Sequence, residues 1–118
     1  MSQFEIVFWK TISAVERHFH ITEAAGQKVA SRTLEWNENY PRKLTLALEN
    51  KSLVASENML SSTFAGWDSG TGALDYGDRV DYYVYPESDP TTKTRVFWGI
   101  ITEISQTNKG ILTVVAKD

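Results

Sequence analysis

The stretch RVFWGIITEISQTNKGILTVVAKD, residues 95–118, confines this chain to β architecture. Apolar residues recur at every second position on either side of TNKG, which is the period of strands and not of helices. In the first strand Val96, Trp98, Ile100 and Ile104 fall on one face. In the second, Leu112, Val114 and Ala116 alternate with Ile111, Thr113 and Val115. Both strands are apolar on both faces, which predicts a hairpin at the centre of a sheet. Gly110 stands where a three- to four-residue hairpin loop needs a left-handed residue.

The same alternation runs upstream. Phe4, Ile6 and Phe8 oppose Glu5, Val7 and Trp9; Leu34 and Trp36 oppose Thr33, Glu35 and Asn37. Leu44, Leu46 and Leu48 oppose Thr45, Ala47 and Glu49, and Val80, Tyr82 and Val84 oppose Asp81, Tyr83 and Tyr85. The pattern predicts an all-β chain, or mainly β with one short helix, folded as a small antiparallel barrel or sandwich. Two regions depart from it. Residues 11–20 carry Ile12, Val15 and Phe19 at near-helical spacing, and Ser13 with Glu16 has the form of a capping box, so a short helix and an irregular strand both fit. Residues 52–77 are rich in Ser, Gly, Thr and Asn and read as a long excursion, pinned to the core by Met59, Leu60, Phe64 and Trp67.

A chain of 118 residues is expected to form one domain, 1–118, large enough to bury a core without cross-links. It has no cysteine, which removes disulfides and thiolate metal sites. The net charge of -3 opposes nucleic acid as the main ligand, because phosphate binding wants a basic face. The apolar runs are far shorter than the roughly 20 residues of a bilayer-spanning helix. The opening MSQFEIVFWK reads as a first strand, with Glu5 where a signal peptide would be apolar, so synthesis in the cytoplasm is the expectation.

Chemistry-bearing motifs are sparse. His18 and His20 would share a face on a strand and could bind a metal with a third ligand, but no third ligand is evident, and neither a metal nor another cofactor is expected. GWDSGTGALDYGD lacks the Lys-Ser/Thr of a phosphate loop, and Asp68, Asp75 and Asp78 lack the alternate spacing of a calcium loop. No G-x-S-x-G occurs, and nothing selects a carboxylate pair, so an enzyme is not expected. Asn50-Lys51-Ser52 is a glycosylation sequon that matters only in a eukaryotic secretory context. Trp67, Tyr76, Tyr83 and Tyr85 are either core aromatics or an exposed set able to stack on a sugar ring or anchor an interface.

One arrangement goes beyond a generic β pattern. KLTLALEN is followed by the excursion, LDYGDRVDYYVY enters a strand through Gly77-Asp78, and RVFWGIITEIS and GILTVVAKD close the chain. Leu44, Leu46, Leu48 and Asn50, then Gly77, Asp78 and Val80, then Phe97, Gly99, Ile101 and Ile104, then Leu112, Val114, Ala116 and Asp118 carry the pattern. Over roughly residues 30–118 this resembles the hub barrel of bacteriophage tails and contractile injection systems, the late control protein D family and its Gram-positive tail relatives. Trp98 is a departure, an extra bulky neighbour between Phe97 and Gly99. Gly99 in mid-strand suggests a bend, bulge or close backbone approach, and Gly77 a turn before Val80.

The resemblance implies a structural module of the virion tail with no catalytic role. It would assemble with other tail or baseplate proteins, as a ring-forming homo- or hetero-oligomer joining tube to baseplate, without nucleic acid and without membrane insertion. In the family the chain continues beyond the position of Asp118, so this length reads as a minimal version or one module of a longer protein. The interface candidates are Trp67, Tyr76, Asp78, Asp81, Tyr83 and Tyr85, and the structural turn and bend residues are Gly77, Gly99 and Gly110. The acidic stretch 68–89 against Lys28, Arg32, Arg42 and Lys43 could pair neighbouring subunits head to tail; an ordinary solvated surface is the equal alternative. A carbohydrate- or ligand-binding domain using the four aromatics is the second functional reading.

Overall fold

The computed structural model describes residues 2–22, 29–37, 40–51, 53–89, 91–107 and 110–118. They form seven strands: β1 (Ser2–Ile12), β2 (Val15–Thr22), β3 (Val29–Asn37), β4 (Tyr40–Glu49), β5 (Arg79–Pro86), β6 (Thr94–Gln106) and β7 (Ile111–Lys117). The only helical turn among the described residues is a 3-10 turn at Ala55–Glu57. All strands belong to one antiparallel sheet in the order β2-β1-β5-β6-β7-β4-β3. The hairpin β6-β7 is therefore central, as its two-sided apolar pattern requires.

The sheet rolls up. Its extents, 36 × 35 × 34 Å, are nearly equal, where a flat sheet would be thin in one direction. Two register shifts on β6 provide the curvature. Tyr82 faces Phe97 while Tyr83 faces Arg95, which leaves Val96 extra; Ile101 faces Ala116 while Glu103 faces Val115, which leaves Thr102 extra. Each such bulge bends its strand and increases the local twist. No ladder joins edge strands β2 and β3 among the described residues, so the roll is open and not a closed barrel.

The concave face is the core. Phe4, Ile6 and Phe8 meet Phe19 and Ile21, Leu44, Leu46 and Leu48, Val80 and Tyr82, Phe97 and Ile101, and Leu112, Val114 and Ala116. The bulges correct one expectation. Phe97, Gly99 and Ile101 face inward, while Trp98 and Ile100 point out to solvent, 49% and 42% exposed. Val96 and Ile104 still pack against the core, because each bulge shifts the alternation by one residue.

Residues 11–20 are a hairpin. Ile12 pairs with Val15 across a two-residue turn in which Ser13 and Ala14 have φ of 53° and 64°. The apparent helical spacing arises because those two turn residues separate a cross-strand pair. The excursion fills the gap beside β2. Phe64 and Trp67 pack edge-on against Phe19, with Met59 and Leu74 also buried. Leu60, expected to help pin it, is instead 37% exposed. Met59, Phe64, Trp67 and Leu74 join the concave core.

Asn50 ties the excursion to the sheet. Its Oδ1 accepts from the Met59 N–H at 3.0 Å, and its Nδ2 donates to Asn58 at 3.1 Å and Gln106 at 2.7 Å. At the opposite edge Arg32 of β3 lies over the Phe4 ring and donates to the Tyr82 hydroxyl at 2.7 Å. Gly77 and Gly110 take positive φ at the turns before β5 and β7.

Candidate functional site

Alternation along β1, β5 and β6 sends Trp9, Asp81, Tyr83, Arg95 and Trp98 to the convex face, and the strand order sets them side by side. Val7 pairs with Asp81, which pairs with Trp98; Trp9 pairs with Arg79; Tyr83 pairs with Arg95. Asp81 is 1% exposed although it lies on the outer face. A carboxylate so desolvated needs partners. It accepts from Trp9 Nε1 at 3.2 Å and from the Tyr83 hydroxyl at 3.4 Å, with Arg79 Nε at 3.3 Å and Arg95 Nη1 at 4.0 Å. The two guanidinium groups lie over indole rings, Arg79 over Trp9 and Arg95 over Trp98. Asp81 thus holds two Arg–Trp pairs in place, and Trp98 of one pair stands exposed with Ile100.

An open groove of about 300 Å³ adjoins this cluster, lined by Trp9, Lys10, Glu16, Tyr76, Gly77, Asp78 and Arg79 among others. Asp78 is buried and pairs with Lys10 Nζ at 3.2 Å while its Oδ2 accepts from the Asp75 N–H at 2.9 Å. Burial pushes its carboxyl above the usual range, against the lowering effects of the Asp75 N–H and Lys10.

The fold distributes the residues singled out from sequence. Tyr76, Gly77 and Asp78 share the groove. Asp81 and Tyr83 share the convex cluster, and Tyr85 lies further along the same face, half-buried under Lys93. Trp67 is 4% exposed and donates its indole N–H to the Gly72 carbonyl, so it belongs to the core and to no exposed aromatic platform. Asp78 and Asp81 are likewise buried in their own chain. The supposed charge asymmetry is mostly used internally: Asp68 contacts His18, Asp89 accepts from Thr91 and Thr92, and Arg42 binds Asp118 and the Val96 carbonyl. Lys28 and the sequon's Ser52 lie outside the described residues.

Trp9, Arg79, Arg95 and Trp98 were not singled out from sequence. Strict alternation grouped Trp98 with Val96, and only the pairing of β5 with β1, about 70 residues away in the chain, and with β6 brings the four around Asp81. His18 and His20 do share a face of β2, and their surroundings were also missed: His18 contacts Asp68, His20 contacts Glu5, and the two rings meet. Among the described residues no group of three or more His, Cys, Asp or Glu side chains is placed to hold a metal ion, and no helix is long and apolar enough to cross a membrane.

No protein-family model matches the chain, and no curated protein matches it significantly. A chain of the solved "Virion of native gene transfer agent (GTA) particle" shares its fold, with a TM-score of 0.61 at 14% identity. The likeness covers 98% of this chain and 39% of that one, so the protein corresponds to well under half of the virion chain. The fold is that of this virion chain's matching portion.

Proposed function

We propose that the protein is a structural assembly module of a phage-like virion, working in the tail hub or baseplate where tube and baseplate join. The observation that carries this reading is the fold likeness to a virion chain over 98% of the present chain. The motif positions support it. Leu44, Leu46, Leu48, Phe97, Gly99, Ile101, Leu112, Val114 and Ala116, picked out by resemblance to hub barrels, all lie on the concave face of one rolled sheet.

The module acts by binding other tail proteins in a ring, without catalysis, and its place is the virion. The convex face supplies the means. Trp, Tyr and Arg dominate the energetics of protein interfaces, and here Trp98 and Arg95 are held in fixed positions around Asp81, with Ile100 exposed alongside. Rigid side chains lose less freedom on binding. Edge strand β3, exposed from Ser31 to Trp36, offers a second surface for strand addition.

Light scattering of the chain, alone and mixed with the products of neighbouring genes, tests the proposal. Association is expected, and the double substitution W98E/I100E is expected to weaken it at least tenfold without changing the melting temperature by more than a few degrees. A strict monomer that meets none of these partners, or a tail map without this chain at the axis, would overturn it.

A further inference from the structure

The outer face of β1 and β2 carries a row of polar side chains outside the Asp81 cluster. Asp68 Oδ2 lies 3.2 Å from His18 Nε2, and His18 Nδ1 lies 2.8 Å from His20 Nε2. His20 Nδ1 is 3.2 Å from Glu5 Oε1, and Glu5 Oε2 is 2.9 Å from Lys93 Nζ. An ionised carboxylate only accepts, so His18 Nε2 and His20 Nδ1 are the nitrogens that carry hydrogen. A neutral imidazole then has its lone pair on the other nitrogen. The other two nitrogens therefore meet at 2.8 Å, a contact that one shared proton satisfies as an N–H···N hydrogen bond and that a metal ion takes over by displacing that proton.

We propose that His18 Nδ1 and His20 Nε2 bind one divalent transition-metal ion of the class that favours right-angle coordination, copper(II) or nickel(II). Three features carry this. Each histidine has its far nitrogen held by a carboxylate, which is the outer-shell arrangement that orients metal-bound imidazoles. The separation fits a right angle: two nitrogens at about 2.0–2.1 Å from a metal stand about 2.9 Å apart at 90° and about 3.4 Å apart at a tetrahedral angle. The row also holds two carboxylates against one ammonium, so a cation enters a net negative setting. Both rings are solvent-accessible, His18 at 36% and His20 at 46%, and water completes the coordination. The site has two protein ligands, in keeping with the absence of any three-ligand group among the described residues.

The Trp9 ring lies 5.3 Å from that of His18, which makes its fluorescence a local reporter of bound copper. The full chain is titrated with copper sulfate and, separately, nickel chloride, followed by fluorescence and calorimetry. One saturating equivalent and strong quenching are expected. H18Q/H20Q abolishes both, E5Q or D68N weakens binding about tenfold, and W9F removes most of the quenching while calorimetric binding persists. Circular dichroism of H18Q/H20Q should match that of the parent, since both rings are on the surface. Uptake unchanged in H18Q/H20Q, or no saturable uptake by the parent chain, overturns the site. Tighter binding of zinc than of copper and nickel overturns the right-angle assignment.

Discussion

A Cβ placed on Gly99 would lie 2.5 Å from the carbonyl oxygen of Lys117 on the neighbouring strand. It would also meet the Phe97 ring at 2.8 Å. The glycine lets β6 and β7 approach at the inner face of the roll, between the two bulges of β6. The nearest obstacle is backbone, which cannot turn aside as a side chain can. G99A is therefore expected to destabilise the chain by about 2–3 kcal/mol, the upper part of the range of an overpacked core site. Urea unfolding of parent and variant reads this directly, and a loss below about 0.5 kcal/mol would show that the strands can part at little cost.

Asn50 joins three segments through one buried side-chain amide. Replacing it by alanine leaves the Met59 N–H without its acceptor and the side chains of Asn58 and Gln106 without their shared donor. Buried groups left unpaired cost about 1–3 kcal/mol each, with relaxation recovering part. N50A should lose about 2–3 kcal/mol and expose the excursion before the sheet. Limited proteolysis should then cut first within residues 53–77. First cuts elsewhere would mean that the excursion is held chiefly by Met59, Phe64 and Trp67.

Much of this architecture was written in the alternation itself. Leu44, Leu46 and Leu48 and the two-sided β6-β7 hairpin pointed to a β core with that hairpin at its centre. The spacing of Phe97, Gly99, Ile101 and Ile104 even contains the bulge, since its steps of two, two and three residues skip Thr102. A strict period of two instead put Trp98 and Ile100 with Val96, because a bulge changes which residues face inward without changing composition. Hairpin β1-β2 was hidden because Ser13-Ala14 is not a typical turn pair. Asp81 and Tyr83 stood among the interface candidates, but their grouping with Trp9, Arg79, Arg95 and Trp98 was not legible. Val7, Asp81 and Trp98 become neighbours only through the strand order, which alternation within a strand does not encode.

The β1-β2 turn runs against local preference. Two-residue hairpin loops with both central residues at positive φ favour Asn-Gly, because a Cβ is strained there. Ser13 and Ala14 hold φ of 53° and 64° nonetheless, kept there by the eight paired positions from Ile12↔Val15 to Glu5↔Thr22. S13N/A14G is expected to stabilise the chain by about 1 kcal/mol, read as a higher urea midpoint with unchanged slope. An unchanged or lower midpoint would show that strand pairing, and not the turn, limits this hairpin.

Breaking the convex cluster at its centre should cost more than trimming its rim. D81A leaves Trp9 Nε1 without its acceptor and removes the carboxylate that Arg79 and Arg95 share. Both arginines can turn toward water, so the loss should fall below the 3–5 kcal/mol of a fully buried pair, at about 2–3 kcal/mol. R95A, at a more exposed position, should cost under about 1 kcal/mol. Equal effects of the two substitutions would show that Asp81 does not organise the group.

Arg42 and Asp118 couple the roll to pH. The Arg42 side-chain hydrogen bond, first among the causes, holds the Asp118 carboxyl below the usual carboxylate range, helped by the Arg42 N–H and opposed by desolvation. A carboxyl lowered by folding contributes stability that is fully present above its unfolded value, near 3.9. That contribution disappears as pH falls through the lower folded value. Asp89 shifts in the same direction and Asp78 in the opposite one, so the acid limb of the parent alone is a mixture. The difference between parent and D118N isolates the pair. It should be constant from neutral pH down to about 5 and shrink toward zero below about 3.9. A difference that persists at about pH 2 would mean that the D118N substitution removes packing or geometry, and not charge, relative to the parent.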